Sequence, residues 1–212
     1  MRIEPSLTVL GRNTSSNVQK VMWLLGEIGR ESVRVDVGGV FGGNRDAAYL
    51  LKNPNGVVPT LIHGDNVVWE SNTILRYLAN VFDAARFYPA DPAGRAGVER
   101  WMDWQLSTLG PANTLLYQSI VRTPPEQRAP ELIEQHRARN AALFLMLDQG
   151  LSSQGFIAGD GFTLADISIG ALAHRWFRLP IARPHYAHLQ RWYDQMCGRE
   201  PFYNHIVSIE FA

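Results

Sequence analysis

Three short stretches of this chain gather groups that can hold an anion, a peptide-like backbone and an ammonium group. In "GRNTSSNVQKV" (11–21), five small or amide-bearing polar residues, Asn13, Thr14, Ser15, Ser16 and Asn17, run directly into an apolar helical pattern. A helix start presents several unpaired N–H groups and a partial positive charge, and a hydroxyl fixed there can donate to a thiolate or another anion. Ser, Thr and Asn are also the preferred helix caps, so any one of the five can serve as a cap and nothing more. In "NPNGVVPTL" (53–61), Asn53-Pro54-Asn55-Gly56 is turn chemistry, and Val58 precedes Pro59 where a strand should begin. The Val58–Pro59 bond is open to either isomer. Cis costs only about 0.5–1 kcal/mol at such a bond and can turn the amide and carbonyl of Val58 towards a peptide-like ligand, whereas trans makes Pro59 an ordinary strand start. In "WESNTILRYL" (69–78), Glu70 and Ser71 stand at the mouth of a helix. Glu70 can accept from an ammonium group, and Ser71 with the helix amides can hold a carboxylate. Equally, Ser71 can be a cap and Glu70 a solvated acid.

Apolar periodicity predicts the elements that must hold these groups. "LTVL" (7–10) reads as a buried strand ended by Gly11. Val18, Val21, Met22, Leu24, Leu25 and Ile28 recur at helical spacing over 16–28, and Gly29 is the stop. "SVRVDV" (32–37) alternates as a strand does, and "VFGGNRDAAYLLKN" (40–53) is a glycine-containing loop leading to a short irregular helix. "TLI" and "NVVW" flank a turn at Gly64-Asp65 as a hairpin, and Ile74, Leu75, Leu78 and Val81 form one stripe of a helix over 71–82. The order is β-α-β-α-β-β-α, a small mixed sheet with helices on both sides, over residues 1–83. Proline and glycine crowd the next stretch, which places a linker at 84–92. Residues 93–212 then read as an all-helical domain. It has a long pattern over 93–121 that can bend near Gly110-Pro111, a helix over Glu131–Gln149, and others from near Thr163 and Tyr186.

Whole-chain properties exclude several functions. Twenty basic residues balance twenty acidic ones, which offers nucleic acid or an anionic membrane no overall attraction. No apolar run approaches the roughly 18 residues a bilayer span requires. A single cysteine, Cys197, excludes an intramolecular disulfide and any multi-cysteine metal site, and no His/Asp/Glu spacing suggests a metal. The opening stretch has neither a signal-peptide nor a transit pattern, so the expected location is cytoplasmic.

Taken together, "NTSSNVQKVMWLL", "NPNGVVPTL", "ESNTILRYL" and "GDGFTLADISIGAL" resemble the glutathione S-transferase superfamily, in the right order along essentially the whole chain. The pattern NPxGxVPxL followed by ES is highly specific to it. The resemblance implies a thioredoxin-like N-terminal domain followed by an all-helical domain, glutathione as co-substrate, a small hydrophobic electrophile, no metal and a homodimer. "FTLADI" looks like the family's capping motif, with Thr163 as cap and Asp166 three residues on, and is read as structural.

The resemblance also assigns roles. Ungapped alignment with the serine-type (phi, theta and zeta) patterns puts the sulfur-contacting hydroxyl at Ser15, with Thr14, Ser16, Asn13 and Asn17 as near alternatives. Val58, before Pro59, matches the residue whose backbone pairs with the cysteinyl part of glutathione. Glu70 and Ser71 match the pair that holds the γ-glutamyl end. Arg45 falls near the glycyl carboxylate, where a guanidinium can serve. Val57 departs from the family, standing where many members have a polar or basic side chain. In the helical domain, Tyr117 and Trp104 are candidates to line the electrophile pocket, although aromatics at helical spacing more often belong to a core. The alternative to a transferase, or to its peroxidase or dehalogenase variants, is a non-catalytic binding or interaction module on the same fold.

Overall fold

A computed structural model describes residues 6–211; residues 1–5 and 212, at the two ends of the expected domains, lie outside it. The described chain divides into two compact units, one of residues 6–85 with 200–210 and one of 86–199 with 211.

The first unit is built on a four-stranded sheet. Its elements are β1 (Leu7–Leu10), α1 (Ser16–Glu27), β2 (Val33–Val35), α2 (Ala47–Leu50), β3 (Thr60–His63), β4 (Asn66–Trp69) and α3 (Ser71–Val81). The strand order is β2-β1-β3-β4. β1 runs parallel to β2 and antiparallel to β3, and β3 pairs antiparallel with β4. Leu7, Val9 and Leu61 of the central strands are buried, as are Val18, Val21, Leu24 and Leu25 of α1 and Ile74, Leu75 and Leu78 of α3. Most of the apolar stripes read from helical spacing are therefore buried, but Met22 and Ile28 are only half-buried and Val81, at the end of α3, is exposed. β2 is shorter than the alternation over 32–37 suggests, and as an edge strand it leaves Val33 and Val35 exposed. The irregular helix expected within 40–53 contracts to the single turn of α2, whose one buried residue is Tyr49.

The second unit is helical: α4 (Pro92–Trp104), α5 (Gly110–Tyr117), α6 (Pro130–Gly150), α7 (Leu164–Arg178) and α8 (Ala187–Cys197). Asp91 caps α4 by accepting from the Gly94 amide at 2.7 Å, with Pro92 at the first helical position. The long helix expected over 93–121 is interrupted twice by wide turns, at Gln105–Leu109 and Gln118–Arg122. The first lies immediately before Gly110-Pro111, the expected bend. Pro111 has no N–H to continue the ladder, and at Gly110 a side chain would come within 2.8 Å of the Gln105 carbonyl. Phe144 stacks on Trp176 with ring centroids 4.9 Å apart, and Trp192 is fully buried, so large aromatics carry this core.

Residues 200–210 group with the first unit and not with the helices that the sequence placed them among. They form α9 (Glu200–Phe202) and a wide turn over Tyr203–Val207. Phe202 meets Trp23 of α1 edge-on at 4.6 Å, and Pro201 lies so close to Gly26 that an added Cβ would be 2.8 Å from it. Apolar spacing shows that such a segment will be buried; it does not show which element will bury it.

Candidate functional site

The site is built where β1 runs into α1. Gly11 ends β1 with φ 153°, and a Cβ there would stand 2.5 Å from Val18 Cγ2 and 3.1 Å from Val58 Cβ. Only glycine permits this approach, which draws the start of α1 and the 53–59 loop together. The Gly11 and Arg12 amides donate to the Val35 and Val37 carbonyls at 2.8 and 3.1 Å, tying the loop to the end of β2.

Ser15 is the N-cap residue of α1, with φ −81° and ψ 119°, and its carbonyl accepts from the Gln19 amide at 2.8 Å. Its side chain makes no capping bond. Among the described residues the hydroxyl has no hydrogen-bond partner, although the residue is only 8% exposed. A cap position occupied by a hydroxyl that does not cap leaves both the donor and the first-turn amides available to an anion. The other candidates are placed differently. Thr14 precedes the helix and is half-buried, and Ser16 is already inside its first turn. Asn13 lines a cavity of about 190 Å³ with Gln19, Arg34 and His205. Asn17 accepts from the Ser71 hydroxyl at 3.2 Å.

That last bond joins the helix starts of α1 and α3 across 54 residues of chain. A second link lies beside it: Lys20, 1% exposed, donates from Nζ to Asn72 Oδ1 at 3.0 Å. Glu70, just before α3, holds φ 69°, a conformation rare for a non-glycine residue and one that tends to persist where function requires it. Its carboxylate is exposed and has no ion-pair partner among the described residues. An ammonium group approaching here meets a free carboxylate, while the neighbouring α3 amides suit a carboxylate.

The Val58–Pro59 bond is cis. Val58 lies before β3 begins at Thr60, and among the described residues neither its amide nor its carbonyl takes a backbone hydrogen bond. Its loop is fixed from below. The Tyr49 phenol donates to the Val57 carbonyl at 2.6 Å and pairs with Thr60 Oγ1 at 2.9 Å. Asn53 Nδ2 reaches the same two oxygens at 2.9 and 3.1 Å, and Asn44 Nδ2 donates to the Gly56 carbonyl at 2.6 Å. Burial pushes the Tyr49 phenol up from its ordinary value, so it remains a donor at neutral pH. Sequence reasoning read Asn53 only as turn chemistry and passed over Tyr49, Asn44 and Thr60. The one available signal was a lone aromatic in an otherwise weak helical pattern.

Arg45 is exposed, and the one side-chain hydrogen bond it makes among the described residues, Nη1 to the Asn55 carbonyl, is long at 3.4 Å. The structure thus brings Ser15, Arg45, Val58, Pro59, Glu70 and Ser71 into one unit. Tyr117 and Trp104 belong to the other and pack on different partners. Trp104 is half-buried and edge-on to Trp101 at 5.5 Å, whereas Tyr117 is buried beneath the Arg175 guanidinium at 4.4 Å. Among the described residues no helix is long and apolar enough to cross a membrane, and no three His, Cys, Asp or Glu side chains gather as metal ligands would.

Comparison with known proteins agrees with this architecture. Residues 5–80 match the family model of the glutathione S-transferase N-terminal domain, and residues 107–200 match that of the C-terminal domain. The chain is 38% identical over 205 residues to glutathione S-transferase GstB of Escherichia coli, covering 96% of this chain and 98% of that one. It is 30% identical over 214 residues to glutathione S-transferase 3 of Zea mays, covering 96% and 94% of the two chains. Among solved structures, the theta class glutathione S-transferase of Xanthomonas axonopodis pv. citri with glutathione bound superposes with a TM-score of 0.94 at 40% identity. That match covers 98% of this chain and all of that one.

Proposed function

Since the chain belongs to the glutathione S-transferase family, we propose that it binds glutathione, holds it as a thiolate through Ser15, and directs the sulfur at a small hydrophobic electrophile. The observation that carries this reading is the Ser15 hydroxyl, open at the start of α1 and without a hydrogen-bond partner among the described residues. A free thiol has a pKa of about 8.5, and lowering it by roughly two units corresponds to about 2.7 kcal/mol in favour of the thiolate. One charge-assisted hydrogen bond, at about 1.5–3 kcal/mol, together with the helix dipole is of that size.

The cysteinyl amide and carbonyl of glutathione pair with the free backbone groups of Val58. The γ-glutamyl ammonium meets Glu70, its carboxylate meets Ser71 and the α3 amides, and Arg45 serves the glycyl end. The thiol proton leaves to solvent as the thiolate forms. Sulfur then attacks the electrophilic carbon, the S–C bond forms as the carbon–leaving-group bond breaks, and the leaving group departs with the bonding pair. Catalysis here is activation and positioning of the nucleophile. Tyr117 and Trp104 are the proposed contributors to the electrophile pocket.

A homodimer and a cytoplasmic location belong to the same reading. Val67 and Trp69 on edge strand β4 and Val81 on α3 are exposed, which supports pairing with a second copy. Conjugation of glutathione to 1-chloro-2,4-dinitrobenzene, with chloride released stoichiometrically, tests the reading. Turnover that falls in Ser15→Ala supports it. No turnover over a broad electrophile panel, with no glutathione binding, contradicts it.

A further inference from the structure

Arg12 has no role in the reading above, yet its placement is specific. Its guanidinium lies along Gly38-Gly39: a Cβ on Gly39 would stand 2.9 Å from Arg12 Cδ and 3.0 Å from Nε, and one on Gly38 3.3 Å from Nη1. Both glycines have positive φ, 79° and 62°, so the segment leaves a bare lane that the arginine fills. The same Gly38 position is 3.4 Å from Val58 Cγ1 and 3.8 Å from Asn44 Cγ. Asn44 reaches the Gly56 carbonyl, and Arg45 Nη1 would lie 2.8 Å from a Cβ on Gly56. Arg12, across Gly38, and Arg45, across Gly56, therefore both lie in the neighbourhood of Asn44, near the residue whose backbone is open.

Among the described residues the Arg12 side chain has no hydrogen bond or ion pair. Asp36, just beyond β2, is already paired with Arg34. Two cations lie near the same asparagine, one whose side chain has no partner and the other with a single long bond, and among the described residues no acid pairs with either of them. Such an arrangement is matched by an incoming anion.

We propose that Arg12 binds the glycyl carboxylate of glutathione together with Arg45, supplying from the β1–α1 loop the charge that Val57 does not supply from its own position. This inference rests on the glutathione-binding reading and assigns it a residue. It also explains the departure at Val57, whose side chain is 50% exposed and apolar where a polar contact was expected. The fork of a guanidinium suits a carboxylate better than an ammonium does, so lysine should replace it only in part.

The test is calorimetric titration of glutathione and of its glycyl monoethyl ester into wild type, Arg12→Ala and Arg12→Lys. Arg12→Ala should weaken glutathione binding by roughly tenfold to a hundredfold, the usual range for a lost bond to a charged group. The ester should bind wild type and Arg12→Ala alike, and Arg12→Lys should recover part of the loss for glutathione alone. Because the Arg12 side chain makes no hydrogen bond or ion pair among the described residues, and its backbone bonds are kept in both variants, the melting temperature should not move. Equal weakening of acid and ester would make Arg12 structural and overturn the proposal. So would unchanged glutathione binding, including the case where only the KM of a carboxylate-bearing electrophile rises. Absence of glutathione binding by wild type would instead sink the parent reading before any variant is compared.

Discussion

The starts of α1 and α7 use the same residue chemistry and end in opposite states. At α7, Thr163 and Asp166 form a complete capping box. Asp166 accepts from the Thr163 amide at 2.8 Å, the Ile157 amide at 2.9 Å and the Trp192 indole at 2.8 Å, and Thr163 Oγ1 accepts from the Ala165 amide at 3.3 Å. Asp166 is fully buried and every one of these groups is satisfied. At α1, Ser15 occupies the same cap position, almost as buried, and its hydroxyl bonds to nothing among the described residues. The Ser15 oxygen is not among the side-chain polar atoms sealed from solvent without a partner, so this cap position is left open to an incoming group and is not closed within the fold. Polar residues at a helix start are therefore informative less by their identity than by whether the fold has already used them.

Four substitutions or conditions sharpen the contrast. The largest effect is expected from Asp166→Ala, which strands three donors in the core. Chemical denaturation should show a loss of about 3–5 kcal/mol, and a loss below about 1 kcal/mol would mean that the box is not what holds this unit. Next comes pH, acting on another satisfied group inside α7. His174 pairs with the Tyr193 hydroxyl at 2.8 Å, and burial, with a contribution from the Arg178 charge, lowers its pKa from the ordinary 6.5 to about 4. A depressed histidine contributes stability that is present above pH 6.5 and lost as pH falls through about 4, by about 3 kcal/mol in all. His174→Gln should flatten that decline, and an unchanged slope would assign the acid sensitivity elsewhere. Thr163→Ala should cost about 1 kcal/mol, as a working cap does. Ser15→Ala should change the melting point least, by under about 0.5 kcal/mol, because no cap bond is lost. If the alanine variants at 163 and 15 destabilised equally, the contrast between the two helix starts would fail.

What was legible in the amino-acid sequence was what is local. The α1 and α3 stripes, the hairpin at Gly64-Asp65 and the Thr163–Asp166 box each depend on spacing within one segment, and each forms. An interruption near Gly110-Pro111 was visible from its proline, but its form as a wide turn reaching back to Gln105 was not. Contacts across long separations had no local signal. The Asn17–Ser71 bond spans 54 residues, and the Tyr49 and Asn53 support beneath Val58 depends on how α2 packs under a loop. Residues 200–210 returned to the first unit for the same reason, since a short apolar segment carries no mark of its partner. At the site itself the cluster Asn13 to Asn17 could be found by type alone. The isomer of Val58–Pro59, the conformation of Glu70 and the lane that Gly38-Gly39 leaves for Arg12 are three-dimensional properties.

The central claim is that the α1 start is left incomplete so that the glutathione sulfur can complete it. Its most direct test is the ultraviolet thiolate absorbance of bound glutathione, followed across pH in wild type and in Ser15→Ala. The account predicts a bound thiol ionising about two units below its usual value in wild type and reverting towards about 8.5 in the variant, with glutathione still bound. Bound glutathione whose thiol ionises at the same pH in both proteins would contradict it.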